Sequence, residues 1–133
     1  MKISFIISLI ISQLIFLAAF SCSDDDEPTS CKDRKLFLNE QRNQIRAFAE
    51  TSICSDDFEC RFIAFGSKPC GGPWEFLIYT TSIDTLELTN WVTDFNTLEA
   101  TFNQEGCGGM STCDTPQPPI GFNCVDNTCI PIY

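Results

Sequence analysis

Nine cysteines in a chain of 133 residues constrain its fold more than any other feature of the sequence. Eight of them are spread over the C-terminal part of the chain: Cys31, Cys54, Cys60, Cys70, Cys107, Cys113, Cys124 and Cys129. An even set of cysteines in a small domain predicts a disulfide framework, although spacing alone leaves most of the pairing open. The ninth cysteine, Cys22, lies apart from this set and needs a different role.

A zinc site is the competing interpretation of these cysteines. Zinc ligands usually come as pairs separated by about two to four residues. Only Cys124 and Cys129 have such a spacing, and no second pair would complete four ligands. The sequence also lacks a C-x-x-C motif, which disfavours a thioredoxin-like redox centre. We therefore expect oxidised cysteines, with no metal and no cofactor.

Composition removes several classes of function. The chain has no histidine, which excludes a Ser-His-Asp triad and a Cys-His pair. Its formal net charge of −10 argues against a nucleic-acid partner, because phosphates would be repelled. We assign no catalytic residue from the sequence.

The N-terminus is typical of a secretory signal peptide. Lys2 is followed by the apolar run Ile3–Phe20, which is near the lower length limit for the alternative, an uncleaved transmembrane helix. The sequence Ala-Phe-Ser before Cys22 resembles a bacterial lipobox, although Ala19 stands where leucine is usual. This resemblance implies cleavage after residue 21 and attachment of lipid to Cys22, with palmitate among the acyl groups; plain secretion is the other alternative.

An acidic run follows the proposed lipidation site: Ser23, Asp24, Asp25, Asp26 and Glu27. By composition alone it is a solvated, extended spacer. Next to Cys22, it is similar to the export signal of Bacteroidota surface lipoproteins. That resemblance implies anchoring in the outer membrane with the protein facing the cell exterior. We therefore divide the chain into a signal peptide (1–21), a lipidated acidic tether (22–30) and a disulfide-stabilised domain (31–133).

Hydrophobic periodicity predicts an α+β domain. Helices are expected at Lys32–Thr51 and Thr85–Gln104, where apolar residues recur at three- and four-residue steps. Strands are expected at Arg61–Gly66 and Trp74–Thr81, which are rich in aromatic and β-branched residues, and a second hairpin within Ile120–Tyr133. The order is α-β-β-α-β-β, and we expect both helices on one face of a single antiparallel sheet.

The second hairpin is expected to turn at Asp126-Asn127, because both residue types tolerate the positive φ of a type I′ turn. That turn would place Cys124 opposite Cys129 at a site where the two Cα atoms come within disulfide range. We therefore predict a Cys124–Cys129 disulfide. The partners of the other six cysteines stay open.

The segment Gly66–Trp74 (Gly-Ser-Lys-Pro-Cys-Gly-Gly-Pro-Trp) and the closing C-x₄-C hairpin resemble those of uncharacterised bacterial lipoproteins. The resemblance supports the fold and implies no activity. Within the segment, we consider as a candidate binding loop the residues Lys68, Pro69, Cys70, Gly71, Gly72, Pro73 and Trp74. Pinned by a disulfide, this loop could enter a protease cleft with Lys68 as its basic anchor. A structural turn and an anion-binding nest of glycine amides are the alternatives.

Two classes of function remain open. The first is a surface-displayed binding module whose partner is an extracellular protein or a glycan. The second is a small hydrolase with paired carboxylates drawn from Asp56, Asp57, Glu59 and Glu75. Two carboxylates in one concave pocket would favour the hydrolase.

Overall fold

The computed structural model describes residues 30–133. The predicted signal peptide (1–21), Cys22 and the acidic run 23–27 lie outside the described residues, as does most of the tether.

Two helices of equal length form one layer of the domain. Helix α1 spans Cys31–Glu50 and helix α2 spans Thr85–Gln104. Each begins at a side chain that accepts a hydrogen bond from the first turn: Ser30 Oγ from Asp33 N at 3.2 Å, and Asp84 Oδ1 from Glu87 N at 2.9 Å. Such caps satisfy amide donors that have no partner within the helix.

The helices run antiparallel, and their charges are complementary. The Cys31–Cys107 disulfide joins the start of α1 to the end of α2. Along the shared seam, Arg34 pairs with Glu105 and Arg42 pairs with Glu99. Helix α1 therefore supplies the cations and helix α2 the carboxylates of this interface.

The first hairpin lies beneath the helices. Strands β1 (Cys60–Phe65) and β2 (Glu75–Thr80) pair in antiparallel register, with Ile63 opposite Leu77. Alternate residues of both strands face the helix pair and complete one core: Leu38, Ile45 and Ala49 from α1, Leu88, Val92, Phe95 and Phe102 from α2, and Phe65, Leu77 and Tyr79 from the hairpin. The prediction that both helices occupy one face is confirmed for this hairpin.

The second hairpin turns where the sequence predicted. Strands β3 (Gly121–Val125) and β4 (Thr128–Ile132) flank Asp126 and Asn127, whose φ angles are 50° and 61°. Cys124 lies opposite Cys129 in the ladder, as expected. The predicted α-β-β-α-β-β order is confirmed.

The four strands form two separate two-stranded sheets rather than the single sheet we expected. Strand β4 lies beside β2, and a pocket of about 210 Å³ between them is lined from both strands. Hydrogen-bonded and non-hydrogen-bonded pairs alternate along the ladder from the turn, and Phe122 and Pro131 form a non-hydrogen-bonded pair. At such a site the N–H of β4 would point away from β3, toward a neighbouring strand on the other side. Because proline has no N–H, this edge of β4 lacks one of its donors, and Cys129 supplies the other.

The predicted Cys124–Cys129 disulfide is wrong. Cys124 binds Cys54 and Cys129 binds Cys60, while Cys70 binds Cys113. The two opposed cysteines share one face of the hairpin, and both turn toward the segment that precedes and begins β1. The predicted register, with Cys124 opposite Cys129, is therefore correct, but each cysteine forms its disulfide with a cysteine outside the hairpin.

The four disulfides of residues 30–133 are those of a domain matured in an oxidising, extracytoplasmic environment. Within the same residues, neither helix is apolar enough over its length to cross a bilayer.

Candidate functional site

Three polar side chains of α2 bind the backbone of the residues that lead from β1 into the candidate loop. Asn96 accepts a hydrogen bond from Gly66 N at 2.7 Å and donates one to Ala64 O at 3.0 Å. Glu99 Oε2 accepts from Ser67 N at 2.6 Å, and Asn103 donates to Ser67 O at 2.7 Å. The loop backbone therefore follows one face of a helix instead of extending freely into solvent.

Gly66 allows Trp74 to close against this anchored segment. Its φ is +82°, and a Cβ at this position would lie 2.5 Å from Trp74 Cδ1 and 3.0 Å from Glu99 Oε2. A side chain here would therefore meet both strain and a clash. The Trp74 amide also donates to Phe65 O at 3.0 Å, which closes the loop at the end of β1.

Lys68 points inward, contrary to the protease-anchor hypothesis. The residue is only 6% exposed, and its Nζ donates to Asp114 O at 2.5 Å. The ammonium also lies 5.4 Å from the centroid of the Trp74 ring, within range of a cation–π interaction. A side chain committed in this way is not presented to a protease, because its partners already lie within the domain.

The rest of the loop is a closed turn. Lys68 N donates to Gly72 O and Gly71 N donates to Lys68 O, both at 2.9 Å. The Cys70–Cys113 disulfide ties the tip to the connection that follows α2. The Gly71 amide is thus occupied within the turn, which weakens the anion-nest interpretation and supports a structural role for the glycine pair.

A pocket of about 300 Å³ opens where this loop meets the helices; we call it the Trp74 pocket. The polar and aromatic residues that line it are Lys35, Asn39 and Arg42 of α1, Glu99 and Asn103 of α2, and Trp74. Trp74, the last residue of the candidate loop, is 36% exposed. Met110, at the rim, is fully exposed. The pocket therefore mixes an aromatic surface with amide, cationic and anionic groups.

Two charged groups of the pocket, Arg42 and Glu99, are held in place by contacts with each other and with neighbouring residues. Arg42 pairs with the buried Glu99, and its guanidinium carbon lies 5.3 Å from the centroid of the Phe95 ring. Glu99 in turn holds Ser67 N, so one carboxylate connects α1 to the loop. Arg42 Nε is buried and has no acceptor among the described residues.

Outside the pocket, one carboxyl group near the loop has a shifted pKa. The hydrogen bond from Thr112 and the nearby charge of Lys68 lower the pKa of Asp114 below its ordinary value. Lys68 Nζ donates to the backbone carbonyl of Asp114 at 2.5 Å and lies 3.4 Å from its Oδ1, so both groups of Asp114 help to hold the connection after α2 against the loop.

The carboxylates considered for hydrolysis do not line the Trp74 pocket. Glu75 binds Arg46, with its Oε1 3.0 Å from Nε, and Glu59 binds Arg61 at 3.1 Å. Asp56 and Asp57 are exposed in a turn before β1. The Trp74 pocket has Glu99 as its one carboxylate, and the pocket between β2 and β4 also has one, Glu50.

Another pocket, of about 400 Å³, lies in the groove between the helices. Leu38, Leu98 and Phe102 supply apolar surface there, with Phe37 at its exposed edge. Asp33 and Arg34 are its polar lining groups, and Arg34 already binds Glu105. The Trp74 pocket is therefore the better candidate for selective recognition, which needs several convergent polar groups.

Sequence reasoning missed the polar face of α2. Asn96, Glu99 and Asn103 recur at steps of three and four residues, so they form a second stripe beside the apolar one. This periodicity was available as a signal that a polar segment packs on the helix. No family model, curated protein or solved structure matches this chain.

Proposed function

We propose that this protein is a lipid-anchored, cell-surface binding module, with the Trp74 pocket as its ligand site. The observation that carries the binding role is the way the pocket is built. Three segments distant in sequence converge on one concavity, and each is fixed by a helix, a disulfide or hydrogen bonds from buried side chains. A preorganised site of this kind pays little conformational entropy when a ligand binds.

The lining suits recognition of a compact ligand more than inhibition of a protease. Lys68 is buried and the loop folds back on itself, so this loop offers no extended segment to a protease cleft. The volume is at the low end of ligand pockets, which run from about 300 Å³ upward.

Asn39 and Asn43 provide a matched pair of variants for testing the binding role. Both are exposed amides on α1, but only Asn39 lines the pocket. Full-length protein in detergent would be titrated calorimetrically with a panel of saccharides and short peptides. We expect Asn39→Ala to weaken binding of the recognised compound several-fold and Asn43→Ala to leave it unchanged. Absence of binding across the panel at millimolar concentration, or equal effects of the two variants, would overturn the proposal.

The anchoring part of the proposal rests on Cys22 and the acidic run 23–27, together with the disulfide framework of the domain. Labelled palmitate should be incorporated into the wild-type chain and not into Cys22→Ala. Proteases added to intact cells should degrade the wild type and spare a variant in which Asp24, Asp25, Asp26 and Glu27 are alanine. Equal degradation of both chains would remove the export-signal assignment and leave the pocket untouched.

A further inference from the structure

The charge of the Trp74 pocket is opposite in sign to that of the chain. The chain has 8 basic against 18 acidic residues, yet the pocket is lined by Lys35 and Arg42 against the single carboxylate of Glu99. Arg42 and Glu99 neutralise each other. Lys35 has no ion-pair partner among residues 30–133, so it leaves one positive charge at the site.

Arg42 lies beside this cation on the pocket wall. Its Nη2 binds Glu99, and its Nε is buried, with no acceptor in the described part of the chain. The side chain is 22% exposed, so a ligand in the pocket would meet the outer N–H groups of the guanidinium and not Nε. Lys35 and Arg42 are seven residues apart on α1, two helical turns, so they lie on one face of the helix. A ligand with a single carboxylate matches this pair.

Trp74 determines what else the ligand carries. Lys68 occupies one position over the indole, and Gly66 lies against the ring edge, so the orientation of the ring is fixed. Trp74 is 36% exposed and lines the pocket together with Asn39, an exposed amide that both donates and accepts. A saturated ring with axial C–H groups on its face and equatorial hydroxyls on its edge suits both an indole and an amide.

We propose that the Trp74 pocket recognises an acidic sugar, a pyranose ring carrying one carboxylate, as found in uronic acids. This inference rests on the proposed binding function and specifies its ligand. The ring stacks on Trp74, its hydroxyls bond Asn39, and its carboxylate lies against Lys35 and Arg42. A pocket of about 300 Å³ is large enough for one such residue.

Three probes separate charge from ring recognition: methyl glucuronide, its uncharged methyl ester, and methyl glucoside. We expect full-length protein to bind the glucuronide about ten-fold more tightly than either neutral compound, because only its carboxylate forms charge-assisted hydrogen bonds with the cationic lining. Lys35→Gln should reduce that preference several-fold. Lys32→Gln is the matched control, since Lys32 is an exposed lysine on α1 outside the pocket.

The outcomes distinguish this inference from the function it rests on. If the neutral sugars bind as tightly as the glucuronide, and Asn39→Ala weakens them, the pocket binds sugars but the acidic preference is wrong. If the three sugars fail to bind while a peptide of the panel binds in an Asn39-dependent manner, the ligand class is wrong and the binding function stands. Equal loss of glucuronide binding in Lys32→Gln and Lys35→Gln would also overturn the inference.

Discussion

The two hairpins have similar lengths and the same antiparallel pairing, but they are held in place differently. The strands of the first hairpin bury Phe65, Leu77, Tyr79 and Thr80 beneath the helices. The strands of the second hairpin, β3 and β4, contain no buried residue. Two disulfides hold this hairpin, and a hydrogen bond joins Cys54 N to Asn127 O at 3.0 Å.

The difference shows how a small domain can extend its fold beyond its core. A two-stranded hairpin without a buried face is marginal at best in water. Here covalent links supplement a limited apolar contact, that of Phe122 with Phe62, whose ring centroids are 6.2 Å apart. The links attach to the buried Cys54 and to Cys60 at the start of β1, on either side of the turn that precedes β1. The apolar side chains of β4, including Ile130 and Ile132, can then remain partly exposed.

The largest expected effect is on the first hairpin. Phe65 is 1% exposed and packs on Phe95 with ring centroids 5.0 Å apart. Phe65→Ala should lower the free energy of unfolding by about 3–5 kcal/mol, through lost burial and the cavity left behind. Ile132→Ala, the matched change in the second hairpin, should cost about 1 kcal/mol or less. Denaturant titration under non-reducing conditions measures both; equal losses would refute the contrast.

A smaller and more localised effect is expected from the Cys60–Cys129 disulfide. Replacing both cysteines by alanine should cost about 2–4 kcal/mol, since the link closes a long loop in the unfolded chain. Amide hydrogen exchange should accelerate in β3 and β4 and much less in β2. Cys31→Ala with Cys107→Ala is the control, because that pair lies at the far end of the helices. Uniform acceleration in both hairpins would contradict the prediction.

The smallest effect depends on pH. The hydrogen bond from Thr112 and the charge of Lys68 lower the pKa of Asp114 in the folded state, so ionisation of Asp114 favours folding. That contribution is present above the ordinary aspartate pKa and is lost as pH falls through the lowered folded value. We expect the protection of loop amides within Lys68–Trp74, measured against their intrinsic exchange rates, to fall in acid, with β3–β4 as the internal reference. Asp114→Asn should remove the pH dependence; an unchanged dependence in that variant would exclude this carboxyl as its source.

Features encoded locally were predictable from the sequence. The bounds of α2 match the predicted Thr85–Gln104, because the Asp84 cap and the apolar period both lie within the segment. The turn at Asp126-Asn127 was predictable for the same reason. The division into two sheets was not, because it depends on how the two hairpins pack against each other and not on either segment alone.

The site was predictable only in part. The sequence indicated Trp74 as part of a candidate binding loop, but no pattern in it predicted that Lys68 turns inward to the carbonyl of Asp114. That contact joins residues far apart in sequence, as do the disulfides that capture Cys124 and Cys129. Periodicity describes one segment at a time, whereas these contacts depend on how the segments pack.

The disulfide loops overlap along the chain. The bond from Cys31 reaches Cys107, the bond from Cys54 reaches Cys124, and the bond from Cys60 reaches Cys129. Any single peptide cleavage between Cys31 and Cys129 therefore leaves both fragments covalently joined. A molecule nicked between these two cysteines stays in one piece until its cystines are reduced, so a single cut there releases no fragment of the domain.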